Sequence, residues 1–68
     1  MSKGTIKRII TNRGYGFIQT GEKGDIFFHA TDLLNGVSFD SLTEGQQVEF
    51  EIKPTSRGLK AISIRLVE

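Results

Sequence analysis

The chain has 68 residues, which is room for one folded domain, and a domain of this size buries only ~60% of the surface that its unfolded chain exposes. Hydrophobic residues make up 37% and charged residues 25% of the chain, as in a globular protein, and the absence of cysteine excludes disulfides and thiolate metal sites. No apolar run approaches the ~20 residues of a membrane-spanning helix, and residues 1–8 lack the features of a secretion signal. We therefore expect a single domain over residues 1–68 of a cytoplasmic protein without membrane contact.

The net charge of +1 is unevenly distributed along the chain. Residues 1–31 carry five basic and two acidic residues, whereas residues 32–68 carry four basic and six acidic residues. This asymmetry predicts one surface that attracts anions, although ordinary scatter of surface charge is an equally good explanation of the charges alone.

Apolar residues alternate with polar residues in several short runs, and no helical periodicity is present. Such alternation over β-branched and aromatic residues predicts half-buried strands, which we place at residues 4–11, 15–20, 25–30, 46–53 and 59–67. The long connection between the third and fourth strands contains one predicted helical turn, Thr31–Asn35, with Thr31 as its cap and Gly36 as its end. The predicted fold is all-β, and closure into a five-stranded barrel is favoured because it removes exposed strand edges.

The second and third predicted strands are joined by a tight turn between Gly21 and Gly24, which makes them antiparallel neighbours. Ile18, Ile26 and Phe28 are the natural core residues of these strands, so the residues between them point outward. Four rings then share one exposed patch: Tyr15, Phe17, Phe27 and His29. An exposed cluster of rings indicates a binding surface.

A shift of one residue in this register is the alternative. It would bury Phe17 and Phe27 as ordinary core residues, but it would also expose Ile18 and Ile26. The sequence therefore favours rings on the outside of the barrel.

The chain resembles the bacterial cold-shock protein family over nearly its whole length. The resemblance lies in KGTIK at residues 3–7, RGYGFI at 13–18 and DIFFH at 25–29, with further matches at 39–50, 57–58 and 60–61. RGYGFI also resembles a motif of RNA-recognition domains, but those need two helices that this chain lacks. The resemblance implies an antiparallel five-stranded OB-type barrel that binds single-stranded RNA and DNA and loosens RNA structure without ATP.

The resemblance also implies roles for individual residues. The predicted stacking platform adds one ring from the long connection to the four on the strands, giving Tyr15, Phe17, Phe27, His29 and Phe39. The basic residues expected near phosphates are Lys7, Arg13, Arg57 and Lys60. Stacking on a ring contributes roughly 1–3 kcal/mol per base, and phosphate contacts make affinity fall with salt. The alternative, which is less favoured, is that Arg57 and Lys60 are solvated loop charges.

Several residues of the motifs allow two interpretations. Asp25 matches a family aspartate that accepts a hydrogen bond from a base edge, but an aspartate after Gly24 is also ordinary turn chemistry. Gly14 and Gly16 would let a ligand approach the rings, and they would equally permit the coiling of a small barrel; the two interpretations are compatible.

His29 is the only histidine, and without cysteine it has no evident metal partners, so no metal or other cofactor is expected. No nucleophile is placed beside it in a recognisable arrangement, and an enzyme is the least favoured class.

The chain departs from the family pattern at places where rings are usual. Arg8, Ile9 and Ala30 stand at three such positions, Leu59 replaces a proline, and the connection before Phe39 is slightly longer. Loss of three rings at even ~1 kcal/mol each would lower affinity about a hundredfold if the effects added, with partial compensation by the guanidinium of Arg8. We expect weaker and more salt-sensitive binding, shifted from pyrimidine-rich DNA toward RNA.

This weakening leaves a second class of function open. The barrel would then act mainly as an adaptor for a protein partner, with weak nucleic-acid binding, and surface-exposed Ile9 and Ile10 would support that hypothesis. A monomer is the expected state, with single-stranded RNA and DNA as the expected main partners.

Overall fold

The computed structural model describes residues 2–21, 24–34 and 36–67. Five strands occur in this part of the chain, at β1 (Ser2–Ile10), β2 (Tyr15–Thr20), β3 (Gly24–His29), β4 (Gln47–Thr55) and β5 (Gly58–Leu66). Two single-turn 3-10 helices, Ala30–Asp32 and Phe39–Ser41, lie in the connection between β3 and β4. All five predicted strands are confirmed, with ends displaced by at most two residues.

The strands close into a barrel in the order β1-β2-β3-β5-β4. Among the described residues, antiparallel pairing joins β1 to β2, β2 to β3, β1 to β4 and β4 to β5, while β3 meets β5 in parallel through Phe27 and Lys60. The predicted all-β barrel is confirmed. The turn expected between Gly21 and Gly24 includes residues 22 and 23, which lie outside the described residues.

The core is a single apolar cluster inside the barrel. Its members come from every strand and from the connection, namely Ile6, Ile18, Ile26, Phe28, Leu42, Val48, Phe50, Ala61 and Ile64. Ile18, Ile26 and Phe28 face the interior as predicted, with at most 1% of each residue exposed. The alternative register, with Phe17 and Phe27 in the core, is therefore excluded.

Gly16 is required by close packing. A Cβ atom at this position would lie 2.6 Å from the carbonyl oxygen of Arg8 and 2.8 Å from a ring carbon of Phe28. Gly14 instead has a φ of 73° in the turn before β2 and open space around its Cα. Both glycines thus have structural reasons that involve no ligand.

Strand β5 contains a bulge that the alternation of its residues does not reveal. Glu49 pairs with Arg65 and Glu51 with Ile62, so β5 has one residue more than β4 over this stretch. Ser63 adopts a φ of 53° within it. Because of the bulge, Ala61 and Ile64 are both fully buried although they are three residues apart.

The helical turn after β3 begins one residue earlier than predicted and ends at Asp32 rather than before Gly36, and its cap is different. The 3-10 helix is Ala30–Asp32, and the side chain of His29 accepts a hydrogen bond from the Thr31 N–H. The Asp32 carboxylate accepts in return from the His29 N–H, which completes a capping box. Thr31 as cap was therefore wrong, because the imidazole already supplies the acceptor, and Asn35 lies outside the described residues.

Candidate nucleic-acid interface

Three aromatic rings form a cluster on the outer surface of β2 and β3, hereafter the ring cluster of Tyr15, Phe17 and Phe27. The ring centroids are 6.0 Å apart for Tyr15 and Phe17, 5.4 Å for Tyr15 and Phe27, and 6.1 Å for Phe17 and Phe27. Phe17 and Phe27 are direct cross-strand partners. This geometry follows from the alternation of β2 and β3, which sends their other side chains into the core.

The ring cluster is accessible from solvent. Phe27 is 37% exposed, and Tyr15 and Phe17 are half-buried. The rings support one another edge to face or at a tilt, which fixes their positions before any ligand arrives. The surface can therefore offer aromatic groups to flat, apolar ligand faces.

A bulge in β1 brings two consecutive basic side chains to the same surface. Ile6 pairs with Ile18, but Arg8 pairs with Phe17, so Lys7 is an extra residue on β1. Lys7 and Arg8 are consequently both exposed, whereas regular alternation would turn Arg8 toward the interior. Arg8, Phe17, Phe27 and Lys60 then form one row of register partners across four strands.

Lys7 and Asp25 form an ion pair at one side of the ring cluster. Nζ of Lys7 lies 2.9 Å from Oδ2 of Asp25, and the side chains are 53% and 41% exposed. Together with Arg8 and Phe17 they line a groove, hereafter the β1 groove. The predicted phosphate contact by Lys7 therefore competes with an existing carboxylate partner.

A second groove lies on the other side of the ring cluster, at the hairpin between β4 and β5. It is lined by Phe27, Thr55, Ser56, Arg57, Leu59 and Lys60. Lys60 is partly covered beside Phe27 and pairs with Asp32 at 3.2 Å, so it is more than a solvated loop charge. Arg57 is exposed on the hairpin turn, where its N–H donates to the Thr55 hydroxyl, and the solvated interpretation of its side chain stays open.

His29 is the register partner of Tyr15 and is held in place by local hydrogen bonds. Its Nδ1 accepts from the Thr31 N–H at 3.2 Å, which leaves the proton of the neutral ring on Nε2. Asp32 accepts from the His29 N–H at 2.9 Å. The cap thus orients the imidazole with Nε2–H as its remaining donor.

Phe39 is not in contact with the ring cluster. Its ring lies 6.3 Å from that of Phe28 and packs against the core from the second 3-10 helix. Arg13 is exposed on the turn between β1 and β2. Neither residue joins the row across the strands, and their contributions to binding stay predictions.

The residues that replace family rings have different environments. Ile9 packs against the core and Ile10 is half-buried opposite Tyr15, so they do not form the exposed apolar pair expected of an adaptor surface. Ala30 begins the first 3-10 helix. The support that these isoleucines were expected to give to a protein-docking surface is therefore absent.

Two features of the interface were missed in the sequence. Asp32 fixes both His29 and Lys60, but His29 and Asp32 are not the Ser or Thr and the Glu or Gln of the usual capping-box signature, so the sequence pattern did not indicate this role. Leu59 is 41% exposed in the second groove, and no local pattern indicated that it would lie beside Phe27.

The described part of the chain offers neither a metal cluster nor a membrane-spanning helix. Among residues 2–21, 24–34 and 36–67, no group of three or more histidine or acidic side chains is arranged to hold a metal ion. The same part of the chain contains no helix that is long and apolar enough to cross a membrane.

Comparison with known proteins gives consistent matches. The family model described as 'Cold-shock' DNA-binding domain matches residues 2–67. "Cold shock protein CspB" of Geobacillus stearothermophilus is 41% identical over 64 residues, covering 94% of this chain and 96% of the relative. "Cold shock-like protein" of Thermotoga maritima is 39% identical over 66 residues, covering 97% and 98%, and "Cold shock protein CspA" of Staphylococcus aureus is 38% identical over 64 residues, covering 94% and 96%.

Proposed function

The chain belongs to the cold-shock domain family, and we propose that it binds single-stranded RNA and DNA and acts as an ATP-independent RNA chaperone in transcription or translation. Its family is described as DNA-binding, and the relatives are named for cold shock rather than for a reaction. A cytoplasmic monomer without enzymatic activity completes the proposal.

The ring cluster is the observation that carries this proposal. Unpaired bases expose flat faces, and each base stacked on an aromatic side chain contributes roughly 1–3 kcal/mol without requiring a particular sequence. Phe17 and Phe27 stand side by side on an open surface, with Tyr15 against both. Successive bases of one strand would stack on these rings, with His29 beside Tyr15 as a further ring and hydrogen-bond donor.

Basic residues flank the rings on both sides, as backbone binding requires. Arg8 lies next to Phe17, and Lys60 next to Phe27. Arg13 and Arg57 form no ion pair within the described residues, so they meet phosphates without breaking one, whereas Lys60 must leave Asp32 to do so. Binding would therefore weaken with salt, with a log–log slope of about −0.7 per phosphate contacted.

The chaperone activity would follow from this selectivity for unpaired bases. A base stacked on Phe17 or Phe27 is not stacked in a hairpin stem, so binding shifts the equilibrium toward the open RNA by mass action. The energy comes from binding itself, and no nucleotide hydrolysis is needed. Because Arg8, Ile9 and Ala30 are not rings, we expect weak and rapidly reversible binding.

Fluorescence anisotropy with a labelled single-stranded RNA and the matching DNA, at two salt concentrations, tests the proposal. Wild type is compared with Phe17→Ala and Phe27→Ala, and Leu34→Ala is the control because Leu34 is similarly exposed, at 39%, but lines neither groove. Weakening of about 1–3 kcal/mol by each ring truncation, with none from the control, supports base stacking. Binding that is absent, or that survives both truncations, contradicts it and directs the search to a protein partner.

A further inference from the structure

The β1 groove combines a stacking surface with a cationic fork and a carboxylate. Lys7 and Arg8 line it from β1, Phe17 from β2 and Asp25 from β3. Arg8 is the register partner of Phe17, and the bulge exposes its side chain on the same face. A base stacked on Phe17 therefore has its edges within reach of donors from β1 and an acceptor from β3.

The carboxylate of Asp25 is both oriented and accessible. Lys7 holds Oδ2 at 2.9 Å, and the Asp25 side chain remains 41% exposed. Within the described residues Oδ1 accepts no other hydrogen bond. Asp25 can thus present its two oxygens to adjacent donors on a ligand while Lys7 keeps the carboxylate in place.

The guanidinium of Arg8 offers the complementary chemistry. It forms no ion pair within the described residues, and its planar fork carries donors that suit two adjacent acceptor atoms. The β1 groove therefore pairs one group that binds two acceptors with one group that binds two donors.

Guanine is the base whose edges satisfy both groups at once. Its N1–H and 2-amino group are adjacent donors for a carboxylate, and its O6 and N7 are adjacent acceptors for a guanidinium. Adenine and cytosine offer a carboxylate a single amino group, and uracil offers a single N3–H. Only guanine can form two hydrogen bonds with the Asp25 carboxylate and two with the Arg8 guanidinium at the same time.

We propose that the β1 groove selects a guanine stacked on Phe17, with Arg8 binding O6 and N7 and Asp25 binding N1–H and the 2-amino group. This selectivity rests on the proposed nucleic-acid binding and adds a base preference to it. Lys7 acts here as a positioning residue for Asp25. Arg8 stands where the family usually has a ring, so the chain would lose stacking area at this position and gain recognition of one base.

The test uses the full chain and labelled oligouridines in which one central nucleotide is varied. Guanine at that position is expected to raise affinity about tenfold over uracil, adenine or cytosine. 7-Deazaguanine, which lacks N7, and hypoxanthine, which lacks the 2-amino group, are each expected to lose most of that gain because each removes one atom from a fork.

Protein variants test which edge of guanine is bound by Arg8 and which by Asp25. Arg8→Lys keeps the charge but loses the planar fork, so the guanine preference should fall to about twofold or less and 7-deazaguanine should bind like guanine. Asp25→Asn should abolish the difference between guanine and hypoxanthine. Arg65→Lys is the matched control, because Arg65 pairs with Glu49 outside both grooves and should leave affinity and preference unchanged.

The outcomes separate this inference from the proposed function. Equal affinity for all four bases, in a protein whose binding still depends on Phe17 and Phe27, overturns the guanine selectivity alone. The guanine selectivity is also overturned if the Arg8→Lys variant still prefers guanine and still binds 7-deazaguanine more weakly than guanine. Failure to bind any oligonucleotide overturns both proposals together.

Discussion

Asp32 and Lys60 form an ion pair in which Oδ2 of the carboxylate lies 3.2 Å from Nζ of the lysine. The same oxygen accepts the backbone N–H of His29 at 2.9 Å. One carboxylate therefore fixes the end of β3 and holds a cation of the second groove beside Phe27. A phosphate that binds Lys60 must compete with it, so Asp32 restrains the affinity of this side of the surface.

We expect Asp32→Asn to raise affinity for single-stranded RNA several-fold at low salt. The amide oxygen can still accept from His29, but Lys60 is released and gains about one phosphate contact, which steepens the salt dependence by about 0.7. Salt titrations by anisotropy measure both effects. Asp40→Asn removes the same charge from an exposed position and is the control, and equal behaviour of the two variants would mean that only net charge matters.

We expect Phe27→Leu to weaken binding by roughly 1–3 kcal/mol while changing the free energy of unfolding little. Leucine keeps the apolar contact but removes the π face on which a base stacks, and the 37% exposure of Phe27 limits its part in the core. Anisotropy and urea unfolding are measured on the same preparation, with Leu34→Ala as control. Unchanged affinity would assign the ring cluster a purely structural role.

We expect Gly16→Ala to lower the free energy of unfolding by about 1–3 kcal/mol, since the new methyl group overlaps both the Arg8 carbonyl and the Phe28 ring. Gly21→Ala is the matched control, because no heavy atom lies within 4 Å of its added Cβ, and its effect should stay within about 0.5 kcal/mol. Urea unfolding distinguishes them. Equal stability of the two variants would contradict the packing described for β1 and β2.

We expect Ser63→Gly to leave stability unchanged or raise it by up to about 1 kcal/mol. The φ of 53° at the β5 bulge is costly for a residue with a Cβ, and its relief outweighs or balances the entropy that glycine adds to the unfolded chain. Ser38→Gly is the control at a φ of −94°, where only the entropic loss applies and stability should fall. Greater destabilisation at Ser63 than at Ser38 would contradict the bulge.

The strands and the ring cluster could be predicted from the sequence because both depend on local alternation. Ile18 and Ile26 determine which faces of β2 and β3 point inward, and the positions of Phe17 and Phe27 follow. The bulges could not be predicted, because a bulge is defined only against the partner strand. Alternation alone would have turned Arg8 inward, and the pairing of β1 with β2 brings it to the rings.

The ion pairs between acidic and basic residues could likewise not be predicted from the sequence. Lys7 and Asp25 are 18 residues apart and meet only after β1, β2 and β3 are aligned. Asp32 reaches Lys60 through the parallel contact of β3 with β5. Counting basic residues in the sequence therefore overestimated the number of cations that are free to bind phosphates, because Lys7 and Lys60 already have acidic partners.

The parallel contact that closes the barrel has a consequence for its opening. In the described part of the chain, Phe27 and Lys60 are the only register pair between β3 and β5, with a bridge from Leu33 to Ile64 beyond it. Short pairings with little backbone hydrogen bonding are the first to separate in local fluctuations, so this seam should exchange its amide hydrogens early. A strand of nucleic acid bound to both Phe27 and Lys60 would lie across this seam and hold β3 and β5 together. Binding of nucleic acid would therefore slow the opening of the barrel at this contact.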